Sequence, residues 1–275
     1  MSHQDSVGRQ EIRTDRVEPR LVAGMAATLG LPTPGELAPG WHWMFFQDWV
    51  MPDAIGPDGH PKRGGFLPPV HDLPRRMWAG GRLAFHAPLR PGDAVQRTST
   101  ILSVTEKAGG SGRLVFVTVG HRIEGPAGLA VVEEQDIVYR GAEGEAVKPA
   151  PAAEPWPGAH ARRLTPDAVM LFRYSALTGN GHRIHYDHPY VTGVEGYPGL
   201  IVHGPLMATL LAQHALAAAP GRRLTRFAFR GRRPAFADQP LTLLARPDGP
   251  HGMALETRDA ANATSQQAEA NFADG

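Results

Sequence analysis

The sequence predicts an α+β fold in which antiparallel sheet wraps buried helices, and three observations lead to it. Strand-like runs follow one another through the first half, separated by short Gly- and Pro-bearing turns. In Gly204 to Ala219, Met207, Leu210, Leu211 and His214 fall at i, i+3, i+4 and i+7 while the remaining face is mostly Ala, as in a helix enclosed by other structure. A pattern in the first half also returns in the second. Gly81 to Asp93 and Leu224 to Asp238 each run from an Arg-and-aromatic strand through a Pro-containing turn to an Asp, as two similar halves packed together would.

The elements follow in order. Residues 1–16 are polar and are expected to be a flexible start. Arg20 to Leu31 reads as a helix stopped by Pro32 and Pro34. After the aromatics Trp41, Trp43, Phe45, Phe46 and Trp49 comes a proline-rich loop from Pro52 to Pro74, and a loop of that length is usually functional. Strands are expected at Arg82–Phe85, Ala94–Val104, Arg113–Ile123 and Leu129–Tyr139. Leu114 to Val119 is apolar on both alternating faces, which predicts a central strand covered on both sides. Pro, Ala and Glu dominate the stretch that follows, so residues 143–158 are read as a linker between domains 17–142 and 159–272. A short helix around Thr165 to Ser175, the enclosed helix, and strands at Leu224–Phe229, Leu241–Arg246 and Met253–Arg258 complete the second half.

Composition excludes several function classes. The absence of cysteine removes disulfides, thiolate metal sites and a cysteine nucleophile. Lys and Arg number 28 against 27 Asp and Glu, so no overall field recruits nucleic acid or an anionic membrane, and anion binding has to be local. No apolar run approaches the roughly 20 residues of a membrane span, and no signal-peptide core precedes the first helix, so a cytoplasmic protein is expected.

Chemistry concentrates between Arg173 and Leu206. Gly204 opens the enclosed helix, where unpaired N–H groups at the positive end of the dipole would stabilise a carbonyl oxygen gaining charge; equally, Gly204 and Pro205 would simply start a helix. His185 has the side chain suited to moving a proton of water near neutral pH, and Asn180 offers one donor and one acceptor to orient that water. Asn-Gly is also an ordinary turn. His182, His185 and Asp187 spell H-x-x-H-x-D, but no further ligand of convincing spacing appears besides His203, so no metal and no cofactor are expected.

These residues resemble the hydratase 2, or MaoC-like, dehydratases. Their signature runs Ser/Thr-Gly-Asp-x-Asn-Pro-Ile/Leu-His and is followed by an apolar residue, His and Gly at the start of the central helix. Here it reads Thr178-Gly179-Asn180-Gly181-His182-Arg183-Ile184-His185, then Ile201-Val202-His203-Gly204. The family's Asp falls on Asn180, its Asn on His182 and its Pro on Arg183, while its His is kept at His185. The departures are similar to a subgroup of type 2 3-hydroxyacyl-thioester dehydratases and bacterial mesaconyl-C4-CoA and itaconyl-CoA hydratases. That similarity extends over Trp41-His42-Trp43, Gly59 to Pro69, Pro74 to Gly81 and Glu133 to Arg140.

The resemblance implies a double hot-dog fold with a degenerate N-terminal site and a working C-terminal one, hydrating an enoyl-CoA such as mesaconyl-C4-CoA or itaconyl-CoA to citramalyl-CoA. The thioester carbonyl would rest on Gly204, with Val202 and Tyr174 as further substrate contacts. His185 and Asn180 would hold water, and the second proton would pass through His185 itself, His182 or Asp187. Lys62, Arg63, Arg75 and Arg76 are the expected CoA-binding cations, with Arg173 or Arg183 for an acyl carboxylate. The partner is an acyl-CoA, and sheet edges leave room for a homo-oligomer. Three readings compete: a 3-hydroxyacyl-thioester dehydratase acting on fatty acyl chains, a hot-dog thioesterase that directs water at the thioester carbonyl, and a non-catalytic acyl-CoA binding module.

Overall fold

Ten strands pair, every one antiparallel to its neighbours, into a single sheet in the computed structural model, which describes residues 3–109, 112–141 and 150–274. The first half supplies β1 (Gln10–Arg16), β2 (Arg75–Phe85), β3 (Ala94–Gly109), β4 (Gly112–Gly125) and β5 (Gly128–Arg140). The second supplies β6 (His160–Leu164), β7 (Arg223–Gly231), β8 (Leu241–Pro247), β9 (Gly252–Arg258) and β10 (Thr264–Ala273). Their order, β1-β3-β4-β5-β2-β7-β10-β9-β8-β6, reads the same from either edge once β1 to β5 are matched with β6 to β10. The halves meet where β2 pairs with β7. The registers Arg82↔Ala228, Leu83↔Phe227 and Ala84↔Arg226 set the two echoing Arg-x-Ala-Phe stretches symmetrically about the Leu83–Phe227 pair. The repetition legible in the sequence is therefore the central seam of the sheet.

Each half buries a helix. α1 (Pro19–Leu29) stops at Gly30, whose left-handed backbone (φ 66°) turns its N–H back onto the Ala26 carbonyl. Its Val22, Met25, Ala26 and Leu29 share a core with Leu83, Val95, Ile123 and Val131. α4 (Gly204–Ala218) is buried from Leu206 to Ala212 and again at His214 and Ala215. Burial of each of its leucines contributes on the order of 1.5–3 kcal/mol. Ala208, Ala212 and Ala215 leave little side chain between α4 and the sheet, where β10 answers with Ala268 and Ala270. That close approach explains why β10, central in the sheet, carries so little of a strand's usual apolar composition.

Three expectations are corrected. Gln10–Arg16 is not a flexible start but strand β1, paired with β3 along its whole length; as an edge strand it keeps a polar face to water. β4 is interior but covered fully on one face only. Val115, Val117 and Val119 lie beneath Val70 and Leu73 of the proline-rich loop, while Leu114, Phe116 and Thr118 opposite are half-buried. That loop forms a small core of its own on the sheet. Of the expected linker, residues 143–149 lie outside the described residues. Its last residues are docked: Glu154 accepts a hydrogen bond from Arg258, and Trp156 lies under the guanidinium groups of Arg246 and Arg258.

The seam tolerates no extra atom at Gly80, where a Cβ would stand 2.5 Å from the Phe229 carbonyl oxygen. Gly80→Ala is expected to cost about 1–3 kcal/mol of stability, read as a lower midpoint in a urea titration. An unchanged midpoint would show that the seam opens without cost.

Candidate active site

The turn that carries the candidate residues is fixed at both ends by capped helices. Asp167 caps α2 (Ala168–Leu177) through the Met170 N–H at 2.7 Å, and Asp187 caps the short α3 (His188–Gly193) through the Tyr190 N–H at 3.1 Å. Between them the chain turns at Gly179, with φ 59°, and ends in a single 3-10 turn, Arg183–His185. His185 is thereby buried with its Nδ1 2.7 Å from the Ile201 carbonyl oxygen. A carbonyl only accepts, so Nδ1 carries the proton and Nε2 is left as an acceptor. The ring stacks on His203, centroids 3.6 Å apart and planes 19° from parallel, and His203 Nε2 is 2.8 Å from the Ser175 hydroxyl. His203 immediately precedes Gly204, so the stack sets His185 beside the first turn of α4. Burial lowers the His185 pKa to about 4 against the raising effect of Ile201, and the ring is neutral at neutral pH.

The proline-rich loop of the first half crosses this turn. Gly59 and Gly181 meet backbone to backbone: a Cβ on Gly59 would stand 1.9 Å from the Gly181 carbonyl oxygen, and one on Gly181 2.6 Å from that of Gly59. Arg183 fastens the crossing, its backbone N–H donating to the Asp58 carbonyl (2.9 Å) and its guanidinium to the Pro57 carbonyl (2.9 Å). The loop thus delivers Asp58 and His60. Asp58 accepts from the His60 backbone N–H and from its Nδ1, both at 3.0 Å, and the His60 ring lies 4.3 Å from that of His182. His182 in turn stands edge-on to His185 at 5.6 Å. Burial first, then His60 and His185, lowers the His182 pKa to about 2.

Beside His60 and His182 lies a cavity of about 590 Å³, lined by Asp58, His60, His182 and Ile184 together with Lys62, Arg63, Arg75, Arg76 and Arg140. Its two carboxylates are already engaged, Asp58 by His60 and Glu195 by Arg75 at 3.2 Å. The cavity therefore carries an excess of positive charge suited to an anionic ligand.

The family model described as hydroxyacyl-thioester dehydratase type 2 matches residues 40–237. The chain belongs to that family. It is 46% identical over 254 residues, 88% of each chain, to the mesaconyl-C(4)-CoA hydratase of Chloroflexus aurantiacus. It is 28% identical over 231 residues, 75% of this chain and 77% of the other, to the mitochondrial hydroxyacyl-thioester dehydratase type 2 of Schizosaccharomyces pombe. Among solved structures, a MaoC-like dehydratase from Phytophthora capsici superposes with a TM-score of 0.72 at 15% identity, covering 98% of both chains. A Mycobacterium tuberculosis protein with a double hot-dog fold superposes with a TM-score of 0.56 at 14% identity, also covering 98% of both. The fold is the hot-dog fold, and the chain is a hydro-lyase that hydrates an enoyl-CoA thioester.

Set in the dehydratase family, the expected residues divide into three groups. His182, Lys62, Arg63, Arg75 and Arg76 come together around the one cavity. His185, Gly204, Val202 and Tyr174 do not line that cavity: Val202 and Tyr174 are core residues, and Tyr174 stands 5.0 Å from the His203 ring it supports. The third group is corrected. Asn180 accepts the His182 N–H on its side-chain oxygen (3.0 Å), which holds the turn and leaves its NH₂ and one oxygen lone pair to meet a water. Arg183 is committed to Asp187 and to the loop and stacks on Tyr190 at 4.1 Å. Asp187, engaged by Arg183 and the Tyr190 N–H, is no free proton carrier. Arg173 is exposed on α2, whose inward face is Leu171, Tyr174 and Ser175. Asp58 and His60 escaped the reading of individual residues, although the length of their loop pointed to function. Among the described residues, Asp58, His60 and His182 also bring possible ligand atoms within 4.8 Å of one another, with Asp58 already spent on His60.

These buried imidazoles predict a loss of stability in acid. His185 and His121, each with its pKa lowered to about 4 chiefly by burial, and His182 bind their protons less readily folded than unfolded. Their stabilising contribution is complete above the unfolded value of about 6.5 and is lost as pH falls toward the folded values. Glu133, held at about 2 by His42 against the cost of burial, adds a loss of the same sign at lower pH. The thermal midpoint should fall continuously between about pH 7 and pH 5; a flat midpoint over that range would mean the imidazoles bind protons equally well folded and unfolded.

Proposed function

We propose that this chain hydrates mesaconyl-C4-CoA or a closely related branched dicarboxylic enoyl-CoA to citramalyl-CoA. The observation that carries the reading is the neutral imidazole of His185, its Nδ1–H given to the Ile201 carbonyl and its Nε2 left as base, beside the opening turn of α4. Support for the acyl group comes from the 46% identity to the mesaconyl-C(4)-CoA hydratase. The thioester carbonyl docks on the Gly204 N–H, which as the first of the helix has no intrahelical acceptor.

Water oxygen bonds to the β-carbon as its O–H bond breaks, and the proton passes to His185 Nε2. The double-bond electrons move into the carbonyl, whose negative charge meets the Gly204 N–H and the dipole of α4. When the enolate collapses, His185 returns the proton to the α-carbon and is neutral again. One imidazole serves both transfers, because Asn180 has no titrating proton and Asp187 is engaged with Arg183.

The test is product analysis by chromatography and mass on mesaconyl-C4-CoA, itaconyl-CoA, crotonyl-CoA and a long-chain enoyl-CoA. Gain of one water on an intact CoA ester is expected, with mesaconyl-C4-CoA fastest, and His185→Ala should lower the rate about 10²–10⁴-fold. Release of free CoA would replace hydration with thioester hydrolysis, and tight binding without product would make the chain a binding module.

A further inference from the structure

Arg63 and Arg76 lie side by side in the cavity without a carboxylate between them. Arg76 sits on β2 directly opposite Tyr139 of β5, and the Arg63 guanidinium lies over the Tyr139 ring, 4.8 Å from its centroid. Arg63 Nη2 donates to the Pro74 carbonyl at 2.6 Å, which fixes the fork, while its Nη1 is buried with no hydrogen-bond partner. Among the described residues, neither guanidinium meets a carboxylate. Of the other cations, Arg75 is neutralised by Glu195 and Lys62 is exposed, while Arg140 donates to the Tyr197 hydroxyl and keeps a buried Nε without a partner. Two half-buried cations with an orphaned N–H are a costly arrangement that a bound anion relieves.

We propose that Arg63 and Arg76 form a receptor for a carboxylate of the acyl group itself, and so select thioesters whose β-carbon bears a carboxylate. This deepens the substrate reading above and rests on it. Position separates the acyl carboxylate from the other anions of the ligand. Both arginines line the cavity together with His60 and His182, and Arg63 lies three residues beyond His60 on the loop that meets the histidine turn. In mesaconyl-C4-CoA the carboxylate is bonded to the carbon that water attacks, so it must lie near that turn. The phosphates of CoA are a whole pantetheine arm away from that carbon. Planar two-point recognition also suits a carboxylate and explains arginine where lysine would give charge alone.

The experiment uses thioesters that cannot react, so it is independent of turnover. Binding of methylsuccinyl-CoA with its free carboxylate on the β-carbon, and of butyryl-CoA, is measured by calorimetry on the wild type, Arg76→Gln, Arg76→Lys and Arg63→Gln. The wild type should prefer methylsuccinyl-CoA by at least about tenfold. Each Gln variant should lose that preference by weakening methylsuccinyl-CoA alone, and Arg76→Lys should restore part of it. Equal weakening of both ligands would assign the pair to CoA phosphates and overturn the proposal. A wild type without preference would overturn it with no reliance on a variant's folding. If the preference stands while mesaconyl-C4-CoA is not hydrated, the receptor is upheld and the reaction assignment fails.

Discussion

The pairing of β2 with β7 is the constraint from which the site follows. Because β2 lies at the middle of the ten-stranded sheet, the chain leading into it must travel from the first half to the seam, passing over the second half's catalytic turn. The crossing is closer than any side chain permits, and it is built from the one residue type without a Cβ on both strands, Gly59 and Gly181. Arg183 then ties the two backbones together through Pro57 and Asp58. His182 and His185 belong to one half, and His60 and the cavity's Lys and Arg residues to the other, so the site exists only when the seam is closed.

Electrostatics divide the labour. Desolvation dominates at His182, His185 and His203 and keeps those rings neutral, as a base for water requires. The cations line the same cavity as His182, where their charge attracts the ligand, and that of Arg76 further discourages protonation of His182. Glu195, by engaging Arg75 and the Tyr190 hydroxyl, keeps one of those cations structural and ties α3 to the cavity wall.

Much of this was legible in the sequence, for physical reasons. The internal repeat, the enclosed helix and the His-Gly at its start could be read because a buried helix needs apolar residues all round and its first N–H groups are a ready anion site. β10 was not legible because alanine facing alanine lacks a strand's signature, and β1 because an edge strand keeps polar residues. The dyad of Asp58 and His60 was missed since its meaning depends on a partner more than a hundred positions away. The Arg183 misassignment was avoidable: Asp187 stands at i+4, the spacing at which such a pair closes on itself. Arg173 fails by helical phase, since α2 turns Leu171, Tyr174 and Ser175 inward and leaves it in water.

The most direct test of the central claim, that the neutral His185 and the opening turn of α4 act together on an enoyl thioester, is a crystal structure with the hydrated thioester bound. The account places the thioester oxygen within hydrogen-bond distance of the Gly204 N–H and the β-hydroxyl on His185 Nε2. A product whose hydroxyl rests on His60 or the Asn180 amide, with its carbonyl away from α4, would contradict it.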